Sequence, residues 1–289
     1  MNYLFKENKL YRFDNNIIVE TNYQANNIEV CVDEIGFKLF DKLDKTKTKV
    51  SNNLLKVGKS TIKTIEAQMP TFDEEYTSEF ELDLNILKEA TKFADKRNFK
   101  PILTGVYVND LGTIIATDSF KVYQYDKGES NKYVVLAPEL VSELIKISNE
   151  KCVLKFNQTS AQVILNDETK ITGRLLAGQY PNVNALVKQH QTNNIDFDKE
   201  EFLKHSEIGK LCNGDITIEI TENELTFKGD NEYTCEFKSS FNTYLNLEYI
   251  LLALNVTNKP ILYYNGEIKP LLFVEDNKKV LIMCMRKVK

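Results

Sequence analysis

Tryptophan is absent from this 289-residue chain, and only two histidines occur, His190 and His205. So little imidazole leaves most acid–base schemes and any histidine-rich zinc site without their raw material. The five cysteines, Cys31, Cys152, Cys212, Cys235 and Cys284, form no C-x-x-C pair and are odd in number. Free thiols in a reducing compartment are therefore expected, with no disulfide framework, no metal and no cofactor. No run of about 18 apolar residues is present, so no spanning helix is expected. The start, Met1-Asn2-Tyr3-Leu4-Phe5-Lys6-Glu7, lacks the basic-then-apolar layout of a signal peptide, so a cytoplasmic location is expected. Phosphate loops of the G-x-x-x-x-G-K-[ST] type, H-E-x-x-H and G-x-S-x-G are missing too. No enzyme is expected. Asp118, in Thr117-Asp118-Ser119, reads as a turn residue after a strand, and Glu74-Glu75 as solvated acids in a linker.

What is present is ordinary soluble material: 42% hydrophobic and 27% charged residues, with a net charge of −5. The length suits two or three domains of roughly 100 residues. A mildly acidic balance argues against a nucleic-acid binder unless the cations are gathered on one surface. They show such gathering. Between Asp83 and Arg97 the apolar positions Ile86, Leu87, Ala90, Phe93 and Ala94 share one helical face, while Lys88, Lys92 and Lys96 recur every fourth residue and Arg97 extends the row. Lys100 follows, and later helices add Lys146, then Lys199, Lys204 and Lys210. A stripe of lysines without interleaved aromatics fits phosphates rather than bases.

The chain also repeats. Val30-Cys31-Val32-Asp33, Val134-Val135-Leu136-Ala137 and Thr243-Tyr244-Leu245-Asn246 each lead into a short helix followed by a charged turn and three strands. The helices are expected at Asp33–Leu43, from Pro138, and at Leu247–Leu254. Opening helices are expected at Asp83–Arg97 and Asp198–Leu211, with a strand at Thr104–Val108. A separation of roughly 105 to 110 residues means repeated α+β domains rather than a short-repeat solenoid. The expected divisions are 1–80, 81–192 and 193–289. The first copy lacks an opening helix.

Lys100-Pro101-Ile102-Leu103-Thr104-Gly105-Val106, Ala116-Thr117-Asp118-Ser119-Phe120-Lys121, Arg174-Leu175-Leu176-Ala177-Gly178-Gln179-Tyr180-Pro181 and Leu281-Ile282-Met283-Cys284-Met285-Arg286 occur in that order. Together they resemble the family of bacterial DNA polymerase III beta subunits, the sliding clamps. The resemblance covers nearly everything from Leu82 onward and is fainter before it. It departs from the family at Phe120-Lys121, where a histidine or small residue precedes arginine, and at Cys284, where proline is common. The chain also ends with Lys287-Val288-Lys289, past the family's usual end.

The resemblance implies the DNA-clamp fold, with helices lining a hole, antiparallel sheets outside, and a truncated first domain. It implies a head-to-tail homodimeric ring that encircles duplex DNA without regard to sequence and tethers a replicative polymerase. The DNA-facing set would be Lys88, Lys92, Lys96, Arg97, Lys100, Lys146, Lys199, Lys204 and Lys210. Polymerase and clamp-loader subunits would insert a short peptide into a cleft formed by Leu103, Thr117, Ser119, Phe120, Val122, Pro181, Leu186, Leu281, Met283 and Met285, with Arg286 at the rim. Ring closure would pair an edge strand at Lys59–Glu66 with one at Glu232–Lys238. In that pairing Lys59 and Lys63 face Glu232 and Glu236, and Ile62 plugs a pocket near Ile208 and Leu211. The competing expectation is a clamp-fold adaptor or decoy that binds the same peptides without closing a ring.

Overall fold

The computed structural model describes residues 1–23, 28–51, 53–148 and 150–286. The chain divides into two compact units, each assembled from two separate stretches. The first comprises Met1–Asn85 and Val134–Ala177, and the second Ile86–Tyr133 and Gly178–Lys289.

The first unit is built on an eight-stranded antiparallel sheet. Strands Asn2–Lys6, Lys9–Phe13 and Ile17–Asn22 form a meander, with Val30–Asp33 on the outer side of the first. The meander joins the second stretch where Ile17–Asn22 pairs with Lys170–Arg174, matching Glu20 with Lys170 and Ile17 with Gly173. Alternation sets the faces: Tyr3, Phe5, Leu10 and Phe13 are buried while their sequence neighbours are largely not. Helix Pro138–Leu144 starts on a proline, which loses no intrahelical bond there, and buries Leu140, Val141 and Leu144. It lies so close to the sheet that a Cβ on Gly173 would stand 2.9 Å from that of Leu140. Arg12 pairs with the buried Glu143 on the same helix, and Asn16 donates to Glu139 at 3.1 Å.

Helix Glu34–Asp41 begins where the Asp33 carboxylate accepts from the Gly36 N–H at 2.7 Å. It covers the three-stranded sheet Thr48–Ser51, Leu54–Val57 and Ser60–Lys63. The core there joins Phe40, Leu55, Val57 and Ile62 to Phe5 and Val32. Two expectations change. Ile62 is only 3% exposed and packs against Gly36, so it is a core residue of its own unit and not a free plug. Phe37, Leu39, Phe40 and Leu43 read in the sequence as the apolar face of this helix, yet Leu39 is 44% exposed, and Ile35 one turn earlier is 78% exposed.

The second unit repeats the plan. Val106–Asn109, Ile114–Thr117 and Lys121–Tyr125 form a meander. It joins Lys278–Ile282, Leu271–Glu275, Ile261–Tyr263 and Asn194–Ile195 through the Val122–Leu281 register. A four-stranded sheet runs in the order Glu232–Glu236, Glu224–Lys228, Thr217–Ile220, Thr243–Asn246. Helix Lys199–Gly209 is capped by Asp198, which accepts from Glu201 N at 2.9 Å. Gly209 lets Phe227 approach to 2.3 Å of where a Cβ would lie. Helix Leu247–Val256 buries Leu247, Ile250, Ala253 and Leu254.

The helix expected over Asp83–Arg97 is shorter. The α-helix covers Leu84–Ala90 and a 3-10 turn covers Thr91–Phe93. Asp95 ends it: its buried carboxylate accepts from Arg97 N at 2.9 Å, favouring a turn over another helical bond. Asn98 then takes φ +56°. Pro101 opens a short helix, Pro101–Thr104, so the strand expected from Thr104 starts at Val106. Among the described residues no helix is long and apolar enough to cross a membrane.

A candidate peptide cleft and cationic surface

A cavity of about 220 Å³ in the second unit is lined by Lys100, Leu103, Thr117, Ser119, Phe120, Val122, Pro181, Asn182, Val183, Leu186, Leu281 and Met283. Its floor is the sheet: Val122 and Leu281 are register partners and both are buried. One wall is the turn after Ile114–Thr117. There Asp118 accepts from the backbone N–H of Phe120 and of Lys121, both at 2.9 Å, and pairs with the Lys121 ammonium. Thr117 Oγ1 donates to Lys121 O at 2.8 Å, and Ser119 takes φ +79°. The ammonium of Lys121 also lies 5.0 Å from the centre of the Tyr249 ring. The turn that carries Ser119 and Phe120 is thereby fixed. Asp118 serves it as a turn residue.

The opposite wall is helix Val183–His190, capped by Asn182, which accepts from Ala185 N at 3.1 Å. Pro181 places the chain at its start. Met283 closes one end, its N–H donating to Phe120 O at 2.8 Å, and its side chain stays 37% exposed. Nine of the eleven residues expected for the cleft line this one cavity. Met285 and Arg286 do not, although both are exposed. Lys100, Asn182 and Val183 line it without having been expected there. The helix Val183–His190 was also missed. Its signals were the Pro-Asn cap and the spacing of Val183, Leu186, Val187 and His190.

The cations separate into two kinds. Lys88, Lys92, Lys96, Lys100 and Lys204 are exposed and have no carboxylate partner among the described residues. Lys146 is bound to Glu143 at 2.8 Å, Lys210 to Glu207 at 2.5 Å, and Arg97 lies 3.7 Å from Asp95. Lys199 is the correction. Its ammonium donates to the carbonyls of Leu254 at 2.8 Å, Thr257 at 2.6 Å and Asn258 at 3.1 Å. It thus caps the C-terminal end of helix Leu247–Val256, where orphan carbonyls and the helix dipole favour a cation. Burial draws its pKa below the usual lysine value, against the pull of Glu275.

Both strands expected at a ring junction are sheet edges. Ser60–Lys63 is an outer strand of the three-stranded sheet, and Glu232–Glu236 of the four-stranded one. Lys59, Lys63, Glu232 and Glu236 are exposed. Ile208 is 47% and Leu211 74% exposed in the second unit.

Solved structures repeat this architecture along nearly the full chain. The Helicobacter pylori beta clamp bound to a DNA ligase peptide superposes with a TM-score of 0.77 at 17% identity, covering 99% of this chain and 91% of that one. A putative DNA polymerase III beta subunit from Eubacterium rectale gives 0.79 at 14% identity, covering 98% and 90%. The fold is that of the bacterial beta sliding clamp. The Pseudomonas aeruginosa DNA polymerase sliding clamp agrees, at 0.78 and 15% identity over 99% and 91% of the two chains. In sequence, the beta sliding clamp of Lactococcus lactis is 25% identical over an alignment of 214 positions that covers 66% of this chain. That match spans 55% of the relative's length. No family model matches the chain. The clamp fold accounts for the paired eight-stranded and smaller sheets and for the α+β class.

Proposed function

We propose that this chain is a DNA sliding clamp, a non-catalytic processivity factor that works in the cytoplasm. The observation that carries this reading is the cleft: residues drawn from four distant parts of the sequence converge on one apolar cavity within the clamp fold. Its walls are aliphatic, with a flexible thioether at one end, which suits the apolar anchors of a short extended peptide. A ligase peptide bound by the H. pylori clamp is one such ligand. Polymerase and clamp-loader subunits would use the same cleft.

Three repeats, 1–80, 81–192 and 193–289, would make up each chain, and two chains would close head to tail around duplex DNA. Lys88, Lys92, Lys96 and Lys204 would face phosphates, with Lys146 and Lys210 contributing less because carboxylates already hold them, while Lys100 and Arg97 stand at the cleft instead. Closure would join the basic edge Lys59–Lys63 to the acidic edge Glu232–Glu236. The exposed Ile35 and Leu39 would supply the apolar contact to Ile208 and Leu211 that was first assigned to Ile62. Apolar burial would dominate that junction, since exposed ion pairs contribute only about 0–1 kcal/mol each.

The test is a fluorescein-labelled peptide with a Leu-Phe anchor pair, titrated by anisotropy. Two buried anchors at about 1.5–3 kcal/mol each, less ordering costs, give at best an affinity in the tens of micromolar. Met283→Ala, in a side chain already partly exposed, should weaken binding about fivefold to tenfold, or roughly 1–1.4 kcal/mol. Equal affinity for the wild type and Met283→Ala would refute the cleft.

A further inference from the structure

The cleft has a charged end that its apolar anchors do not use. Lys100 lines the cavity, is exposed, and has no carboxylate partner among the described residues. Next to it Arg97 places its guanidinium 5.2 Å from the ring centre of Phe120, itself a lining residue, and 5.3 Å from that of Phe99. Phe99 is 77% and Phe120 47% exposed, so both rings stand at the surface. The loop bearing the two cations is braced. Asp95 accepts from Arg97 N at 2.9 Å, Asp95 N donates to Leu103 O at 2.9 Å, and Leu103 N donates to Lys100 O at 2.8 Å. Leu103 is itself a wall of the cleft, so the cations are fixed relative to the apolar floor.

Asp95 lies 3.7 Å from the Arg97 Nε, which leaves the two terminal N–H groups of a guanidinium resting on aromatic rings for a further acceptor, and a planar carboxylate matches that fork. We propose that the ligands of this cleft are acidic peptides, with at least one carboxylate flanking the apolar anchors and held over Phe120 by Arg97 and Lys100. The proposal rests on the peptide reading of the cleft and adds the partner's charge. A single strand of nucleic acid would also meet cations and aromatics here, but it needs open ring faces for its bases and a groove to follow. Here the Arg97 guanidinium already lies against both rings, and Lys100 and Phe120 belong to the wall of a half-open, mainly apolar cavity. Those features favour the peptide.

The experiment compares two labelled peptides with the same Leu-Phe anchors, one flanked by glutamates and its twin by glutamines, at low salt. Wild-type protein should bind the acidic peptide five- to tenfold more tightly. The variant Arg97→Gln/Lys100→Gln should bind both equally, at the affinity of the neutral peptide, and Arg97→Glu/Lys100→Glu should prefer a lysine-flanked version. The glutamine variant should melt like wild type, since the altered side chains are exposed, whereas the glutamate variant, which sets a second carboxylate beside the buried Asp95, should melt lower. Equal wild-type affinity for the two peptides, with Met283→Ala still weakening both, would overturn the acidic reading and leave the cleft intact. No binding of either peptide would overturn both. Displacement of the acidic peptide by oligo-dT, lost in the glutamine variant, would transfer the site to single-stranded DNA and overturn the proposal.

Discussion

Lys199→Met separates a structural lysine from one proposed to face DNA on the same helix. The ammonium of Lys199 makes three hydrogen bonds, at 2.8, 2.6 and 3.1 Å, to carbonyls that end helix Leu247–Val256. Hydrogen bonds with a charged partner contribute a net ~1.5–3 kcal/mol each when buried. Water can replace part of this set, because the site is only half-buried and the Asn258 contact is exposed. Methionine retains most of the stem's packing. The expected net loss is therefore about 2 kcal/mol, close to one full charged hydrogen bond. At ~2–4 °C per kcal/mol for chains of this size class, the melting temperature should fall by about 4–8 °C. The comparison is Lys204→Met, whose side chain is exposed and unpaired among the described residues. It should melt like wild type but lower the slope of log affinity for duplex DNA against log salt by about one. Lys199→Met should leave that slope unchanged. A lowered slope with an unchanged melting temperature for Lys199→Met would refute the capping role.

Two further outcomes are expected. Leu211→Glu should shift the solution mass, measured across concentration, from dimer to monomer with no loss of fold. Ile62→Glu should instead unfold the first unit, because a charge would enter the Phe40–Leu55–Val57 core; a folded monomeric Ile62→Glu would return that residue to the interface. Burial pushes the Cys152 thiol up to about 11. At pH 8 only about 0.1% is thiolate, so Cys152 should alkylate roughly a hundredfold more slowly than an exposed cysteine of ordinary pKa. Mass spectrometry of peptides after timed iodoacetamide treatment reads this directly, and rapid labelling of Cys152 in the native protein would contradict its burial.

Much of the fold was legible because local signals and tertiary structure agreed. Asp33, Pro138 and Asp198 marked helix starts that the structure keeps, each through a cap or a proline whose effect is local. The cleft was legible through resemblance, and nine of its expected residues meet. Failures have long-range causes. Lys199 looks like any surface lysine until the end of a helix some 55 residues later is brought against it. Ile62 alternates with polar neighbours as an interface residue would, and only the packing of helix Glu34–Asp41 shows that its side chain is already used. The lysine ridge read continuous because helical periodicity persists to Arg97, whereas one buried side chain, Asp95, stops the helix at Phe93. The contact of Arg97 with Phe120 went unseen because Phe120 reaches it from the turn after Ile114–Thr117.

The pairing of Ile17–Asn22 with Lys170–Arg174 has a consequence for synthesis. Glu20 and its partner Lys170 are 150 residues apart. At ~5–20 residues per second, the first meander would wait on the order of ten seconds or more after emerging before its neighbour strand exists. During that interval Ile17–Asn22, with Ile17 and Val19 destined for burial, presents an unpaired edge. Completion of the first unit's sheet therefore waits on chain elongation past Arg174 and not on its own first eighty residues alone.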